Sequence, residues 1–148
     1  MRINVTLSTD GSCSGNPGPG GYAGILSYNG IERVVKGSEA QTTNNRMELR
    51  AVIEGIRVLT KPCCVTVVTD SKYVMTGLAN APEWAKNGWR LKSGGKPKNV
   101  DMWQELAALT AKGNHTIKFQ YVKGHSGHPA NERCDMLAKT QTKTSKEG

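Results

Sequence analysis

The 148 residues of this chain are enough for one domain around a single hydrophobic core, and no run approaches the ~18 consecutive apolar residues that a membrane span needs. The 20 lysine and arginine residues outnumber the 12 aspartate and glutamate residues, and the net charge of +8 favours a polyanionic partner such as nucleic acid, although many basic proteins bind none. The first residues lead directly into a strand pattern rather than a secretory signal, so we expect a cytoplasmic protein without a membrane partner.

The amino-terminal third of the chain is predicted to form three strands. Residues 3–9 alternate apolar and polar side chains, which is the period of a strand with two different faces. The glycine- and proline-rich segment 10–21 is predicted to be a shaped loop at the end of this strand. Two further strand-like runs, 22–28 and 31–36, flank an Asn-Gly dipeptide that suits a two-residue type I′ hairpin. The second and third strands are therefore expected to be antiparallel.

The rest of the chain alternates helices with strands. In order, we predict a helix from the Thr42–Asn45 start signal to Pro62, a strand at 65–69, a short helix at 71–78, a helix at 100–112, a strand at 116–122 and a last helix from Pro129. This order predicts an α/β protein with a five-stranded mixed sheet, an antiparallel hairpin at one edge and helices on both faces. We expect one domain over residues 1–142 and a short polar tail at 143–148, with fraying from Lys139 onward.

The four cysteines do not match a zinc site. Cys63 and Cys64 are adjacent, which is too close for ordinary ligand spacing, and no second cluster accompanies Cys13 or Cys134. We interpret all of them as free thiols in a reducing compartment, in agreement with the expected cytoplasmic location.

Two aspartates, Asp10 and Asp70, each follow an apolar strand-like run. If the two strands are parallel neighbours, both carboxylates lie at the carboxyl ends of the strands, where open α/β sheets bind their ligands. Two such anions repel each other, and a divalent cation between them relieves that repulsion. A turn or a helix cap explains either aspartate alone better than catalysis does, so the pairing is what indicates a metal site.

Three more residues are candidates for the same site. Glu48 follows Asn45 by three residues, as in a capping box, yet its helix leads into the strand that ends at Asp70 and its amino end can lie beside the acidic crevice. Asp135 lies on the last helix, where an exposed charged face is the ordinary explanation. His125 lies in a glycine-flanked loop; it is either a surface histidine or, beside an acidic site, a proton carrier.

Five sequence blocks, in one order, resemble the bacterial-type (type 1) ribonuclease H family. They are TDGSC at 9–13 with GNPGPGGY at 15–22, TTNNRMEL at 42–49, TDSKYV at 69–74, KNVDMW at 98–103, and VKGHSGHP at 122–129 with NERCD at 131–135. The resemblance covers the chain from its first residue to about residue 142. It implies a ribonuclease H-like fold and an endonuclease that hydrolyses the RNA strand of RNA/DNA hybrids, leaving 3′-hydroxyl and 5′-phosphate ends.

The same resemblance assigns the catalytic residues. Asp10, Glu48, Asp70 and Asp135 would be the metal-binding tetrad for two Mg²⁺ ions, with Mn²⁺ as a substitute, and hard oxygen ligands suit such ions. Asp10 would contact both ions, Glu48 and Asp70 would hold the water-activating one, and Asp135 would hold the other. His125 would be a mobile loop histidine that moves protons or helps to release product.

The resemblance also assigns substrate contacts. Asn16, Asn45 and Glu48 would recognise the RNA 2′-hydroxyl groups, and Thr43 and Asn16 would lie near a phosphate of the DNA strand. Ser71 and Glu132 would be minor-groove or supporting partners. A basic and aromatic segment would grip the DNA strand; its candidate residues are Trp84, Lys86, Trp89, Arg90, Lys98 and Asn99. This segment departs most from the family pattern, because residues 80–83 read Asn-Ala-Pro-Glu in place of a more basic stretch.

Two other functions are compatible with parts of this pattern. One is a hybrid-binding module that has lost catalysis, and the other is an enzyme of the same fold with a different substrate, as in junction resolvases and integrases. The complete set of four carboxylates favours an enzyme over a binding module. The combination of Asn16, Thr43 and Asn45 favours a hybrid substrate. We expect the protein to act as a monomer.

Overall fold

The computed structural model describes residues 2–124 and 127–147 as a five-stranded mixed sheet with helices on both faces. The spatial order of the strands is β3-β2-β1-β4-β5; β1, β2 and β3 are antiparallel neighbours, whereas β4 is parallel to both β1 and β5. The elements are β1 Ile3–Cys13, β2 Gly18–Tyr28, β3 Ile31–Thr42, α1 Asn44–Arg57, β4 Cys63–Thr69, α2 Lys72–Lys86, α3 Val100–Lys112, β5 Thr116–Tyr121 and α4 Pro129–Glu147. The predicted fold class is confirmed.

The hairpin between β2 and β3 forms as predicted. Tyr28 pairs with Ile31, and the two residues between them, Asn29 and Gly30, have φ angles of 49° and 76°. Positive φ at both central positions is the conformation of a type I′ turn, which asparagine and glycine adopt at little steric cost.

The glycine-rich segment 10–21 is mostly strand, so the loop prediction was wrong for most of it. β1 continues to Cys13 and β2 begins at Gly18. Several of these glycines are required by close packing instead of by a turn. At Gly21, a Cβ atom would lie only 2.6 Å from the backbone oxygen of Ala138 in α4. The absence of a side chain here lets a helix approach the sheet backbone closely.

α2 is longer than predicted: it continues past residue 78 and through Pro82 to Lys86. Trp84, near its carboxyl end, packs edge-on against Trp103 of α3, with ring centroids 5.9 Å apart. This aromatic packing supports the additional helical turns, so tertiary contact overrides the local helix-breaking signal. Trp84 and Lys86 therefore lie on a helix.

α4 also extends further than expected. Residues 139–147, predicted to fray, are helical, and the Ser145 hydroxyl donates to the Glu39 carbonyl of β3 at 2.8 Å. Near the other end of α4, the Cys134 thiol donates to the Ser8 carbonyl at 3.3 Å, and its burial, together with the charge of Asp10, raises its pKa to about 12. All four cysteines are free thiols, as predicted.

The hydrophobic core lies between the sheet and the layer formed by α1, α2 and α3, while α4 covers the opposite face. Its largest fully buried side chains include Leu7, Leu49, Ile53, Val65, Met102 and Trp103. The core fixes α1 against β1 and β2, and this contact determines where Glu48 of α1 lies relative to Asp10 of β1. Within residues 2–124 and 127–147, no helix is long and apolar enough to cross a membrane.

Candidate active site

Three of the predicted carboxylates meet where the pairing of β1 with β4 ends: Asp10 lies within β1, Asp70 directly follows β4, and Glu48 lies on α1. Asp10, Glu48 and Asp70 each offer one oxygen, and these three oxygens lie within 4.8 Å of one another. The parallel register explains the pairing of the two aspartates: Ser8 lies opposite Val68, so the positions two residues further along each strand are also adjacent. We call these three residues the acidic cluster.

Glu48 reaches the acidic cluster from the second turn of α1. The N-cap of α1 is Thr43, whose hydroxyl accepts a hydrogen bond from the Arg46 backbone N–H at 3.2 Å, so Glu48 is not a capping-box residue. The close approach of α1 to β1 depends on Gly11, because a Cβ atom there would lie 2.4 Å from the Glu48 backbone nitrogen. Gly11 thus positions the site, a role that its place in a glycine-rich segment does not reveal.

Asp10 and Glu48 of the acidic cluster are buried, Asp70 is half-buried, and the site is crowded with negative charge. Asp10 is 4% exposed and Glu48 is 6% exposed. Burial, followed by the charge of Asp70, raises the pKa of Asp10 to about 7, and burial, followed by the charge of Asp10, raises the pKa of Glu48 well above its ordinary value. Glu48 Oε2 has no hydrogen-bond partner among the residues that the structure describes. Buried carboxylate oxygens without donors fit a hard divalent cation.

The raised pKa of Asp10 predicts a stability that depends on pH and on divalent cations. Without cations, the folded state retains a proton that an ordinary aspartate, with a pKa of 3.8, releases, so the free energy of unfolding should fall as the pH rises from about 4 to about 7. A cation favours the ionised carboxylates, so Mg²⁺ should raise the melting temperature more at about pH 8 than at about pH 5. Thermal unfolding with EDTA or MgCl₂ measures this, and equal Mg²⁺ effects at both pH values would contradict it.

Asp135 lies beside the acidic cluster but outside it. It is half-buried on α4, and its Oδ2 atom forms a salt bridge with Lys139 Nζ at 3.0 Å. Its charge is close enough to contribute, as the smallest of the causes, to the raised pKa of Asp10. Its role as a fourth metal ligand stays a prediction.

His125 lies outside the residues that the structure describes. The preceding residue, Gly124, passes close to the acidic cluster, because a Cβ atom there would lie 2.9 Å from Asp70 Oδ2. The loop that leads to His125 therefore begins beside the carboxylates, and the proton-carrying role of this histidine stays a prediction.

The predicted sugar and phosphate contacts gather at the amino end of α1. Thr43 caps the helix and Asn45 is exposed in its first turn. Asn16, in the segment between β1 and β2, accepts a hydrogen bond through Oδ1 from the Asn44 backbone N–H at 3.0 Å. These three candidate residues thus share the end of the helix that also carries Glu48.

Two further candidate contacts lie at the starts of other helices. Ser71 caps α2, and its hydroxyl accepts from the Val74 backbone N–H at 3.1 Å. Glu132 is exposed in the first turn of α4. Ser71 therefore has a structural role whatever it contacts in a substrate, whereas Glu132 is accessible to solvent.

The predicted basic surface is divided between the end of α2 and the loop that leads to α3. We call residues 84–99 the basic segment. Its lysine and arginine side chains are exposed, whereas both tryptophans are half-buried: Trp84 packs on Trp103, and Trp89 packs against the hydrophobic core. The cationic groups are thus accessible to a partner, although Arg90 donates to the Gly94 carbonyl and Lys92 lies 3.9 Å from Glu83, while part of each indole is used in packing.

Sequence reasoning gave no role to three residues that connect α1 with the basic segment. Arg46 forms a salt bridge with Asp101 at 2.9 Å, and Tyr73 shares hydrogen bonds with residues at the end of the basic segment. The only sequence signal was their position inside the blocks 42–49, 69–74 and 98–103. Pattern and spacing cannot predict which of these side chains meet.

Comparison with known proteins agrees with this geometry. The RNase H family model matches residues 2–143. The chain is 50% identical over 136 residues to Ribonuclease H of Pelobacter propionicus, covering 91% of this chain and 82% of that protein. It is 54% identical over 136 residues to Ribonuclease H of Zymomonas mobilis, covering 90% of this chain and 85% of that protein.

A solved structure shares the fold. The crystal structure of LC9-RNase H1, described as a type 1 RNase H with the type 2 active-site motif, superposes with a TM-score of 0.84 at 35% identity and covers 98% of this chain and 74% of that chain. The range matched by the family model includes the acidic cluster, α1 and the basic segment. These matches confirm the resemblance seen in the sequence blocks. Ribonucleases H are hydrolases. This chain belongs to the RNase H family.

Proposed function

We propose that this chain is an endonuclease that hydrolyses the RNA strand of RNA/DNA hybrids and leaves 3′-hydroxyl and 5′-phosphate ends. The observation that carries the proposal is the acidic cluster in a chain of this family: its Asp10 and Glu48 are buried, and one Glu48 oxygen has no hydrogen-bond partner in the described part of the chain. The net charge of +8 supports a polyanionic substrate.

The proposed cofactors are two Mg²⁺ ions, with Mn²⁺ as a substitute. Asp10, Glu48 and Asp70 would hold them, and Asp135 would complete the site from α4. When bound, such ions polarise the phosphate and lower the pKa of a water molecule. The chain itself contributes a buried site, where the low local dielectric strengthens each electrostatic contact with the substrate.

The remaining candidate residues bind and orient the hybrid. Asn16, Thr43 and Asn45 supply amide and hydroxyl groups at the amino end of α1, where they would contact sugar hydroxyls and phosphates. The basic segment supplies exposed cations for the DNA strand. His125 would carry a proton away from the site or help to release product.

A cleavage assay tests this function directly. The protein is incubated with MgCl₂ and an end-labelled RNA/DNA hybrid, beside an RNA duplex, a DNA duplex and single-stranded RNA. We expect cleavage of the hybrid alone, RNA fragments with 5′-phosphate ends, and complete loss of activity in EDTA, because the acidic cluster needs a cation to accept the phosphate.

The alternatives give different results in the same assay. Hybrid binding without cleavage would indicate a binding module, and cleavage of the DNA duplex in place of the hybrid would indicate a different substrate class. Either result would contradict the proposed function. The monomeric state, the cytoplasmic location and the domain range 1–142 stay predictions, and light scattering coupled to gel filtration measures the first of them.

A further inference from the structure

Arg46 joins α1 to the start of α3. Its Nη1 atom donates to Asn99 Oδ1 at 3.1 Å and to Asp101 Oδ1 at 3.2 Å, while Nη2 donates to Asp101 Oδ2 at 2.9 Å. Two bonds to one carboxylate are the fork geometry that arginine forms and lysine cannot. The Asp101 side chain is 65% exposed, and exposed ion pairs add little to stability, so stability alone does not explain this arrangement.

Tyr73 of α2 occupies the other side of the same contact. Its hydroxyl accepts from Asn99 Nδ2 at 2.9 Å and from Trp103 Nε1 at 3.0 Å, and it donates to the Lys98 backbone carbonyl at 3.1 Å. A tyrosine hydroxyl has one proton and two lone pairs, so every hydrogen-bonding site on it is used. The end of the basic segment is thereby attached to α2 and α3 through its backbone.

Asn99 is held in a conformation that its own helix does not require. It occupies the N-cap position of α3 with φ 57° and ψ 37°, and its side chain makes no capping bond, in contrast to Thr43 and Ser71 at the starts of α1 and α2. Asparagine adopts the left-handed region at little steric cost, but in this conformation its side chain does not cap the helix. The Asn99 amide instead spans from Arg46 to Tyr73, which indicates that this connection takes precedence over helix capping.

We propose that Arg46 is a positioning residue for hybrid binding. We call Arg46, Asn99, Asp101 and Tyr73 the bracket. Through its contacts with the other three residues, Arg46 fixes the basic segment relative to α1, the helix that carries Glu48. A hybrid that contacts the acidic cluster and the basic segment at the same time binds best when their separation is already set, because less ordering is needed on binding. The identity of the ligand as a hybrid rests on the proposed function.

The test compares Arg46→Ala with Arg50→Ala. Arg50 is a matched control because it lies one turn further along α1 and also bonds to α3, through Glu105 at 3.0 Å, and among the residues that the structure describes it makes no bond to the basic segment. Arg46→Ala should raise KM for the hybrid about tenfold with kcat unchanged. It should also flatten the dependence of log Kd on log salt concentration, measured in EDTA, since fewer phosphates are contacted together. Arg50→Ala should change neither quantity.

Hydrogen exchange supplies a readout that needs neither substrate nor metal. Backbone amides of residues 87–99 should lose protection in Arg46→Ala and keep it in Arg50→Ala. If Arg46→Ala does not fold, Tyr73→Phe removes the opposite side of the bracket and should give the same pattern.

Unchanged KM, salt dependence and protection in Arg46→Ala would overturn the proposal. So would equal changes in both arginine variants, or a fall in kcat at unchanged KM. Failure of the wild-type protein to cut a hybrid would instead overturn the proposed function, and the exchange experiment would still decide whether the bracket orders the basic segment.

Discussion

Replacing Asp10 with asparagine should lower the rate of hybrid cleavage by a factor on the order of a thousand or more, and it should at the same time stabilise the metal-free protein. The loss of activity follows because Asp10 belongs to the acidic cluster and a neutral amide cannot replace a charged ligand. The gain in stability follows because Asp10 must otherwise ionise beside Asp70 and Glu48 in a buried site. At about pH 8 in EDTA we expect the free energy of unfolding to rise by about 1–2 kcal/mol.

Urea unfolding and a single-turnover cleavage assay measure these two effects. Glu32→Gln is the control: Glu32 is an exposed carboxylate, paired with Arg133 at 2.9 Å, on the edge strand β3, which β2 separates from the strand that carries Asp10. Its neutralisation should leave both quantities close to those of the wild type. An Asp10→Asn variant that still cuts the hybrid, or that is less stable than the wild type in EDTA, would contradict the interpretation of the cluster.

The meeting of Asp10 and Asp70 was predictable because each lies at the end of an apolar run and a helix separates the two runs. A helical connection allows parallel neighbours, and parallel neighbours bring their carboxyl ends to one edge of the sheet. Glu48 was harder to choose. Its spacing from Asn45 is equally that of a capping box, and the family resemblance was needed to place it in the site.

Other features depend on contacts that local patterns do not encode. The segment 10–21 has the composition of a loop, yet much of it is strand, because some of its glycines allow close packing of α1 and α4. The connection from Arg46 to Asn99 spans 53 residues of sequence. Its existence depends on how α1 and α3 pack together, and periodicity says nothing about which polar side chains meet across such an interface.

Gly21→Ala should cause a large loss of stability, because the added methyl group would meet backbone atoms that cannot rotate away. A Cβ atom at this position would lie 2.5 Å from the Thr142 backbone nitrogen and 2.6 Å from the Ala138 carbonyl oxygen, so α4 would have to move off the sheet. We expect the free energy of unfolding to fall by about 3 kcal/mol, at the upper end of the range for overpacked interiors.

Chemical unfolding of Gly21→Ala beside Gly95→Ala separates this packing effect from the general effect of replacing glycine. A Cβ atom at Gly95 would meet no atom within 4 Å, so this control should change stability by no more than about 0.5 kcal/mol. Equal effects of the two substitutions would contradict the close-packing argument. α4 also carries Asp135, so a Gly21→Ala variant that still folds should lose cleavage activity as well. Such a loss would link the position of α4 to the chemistry of the acidic cluster.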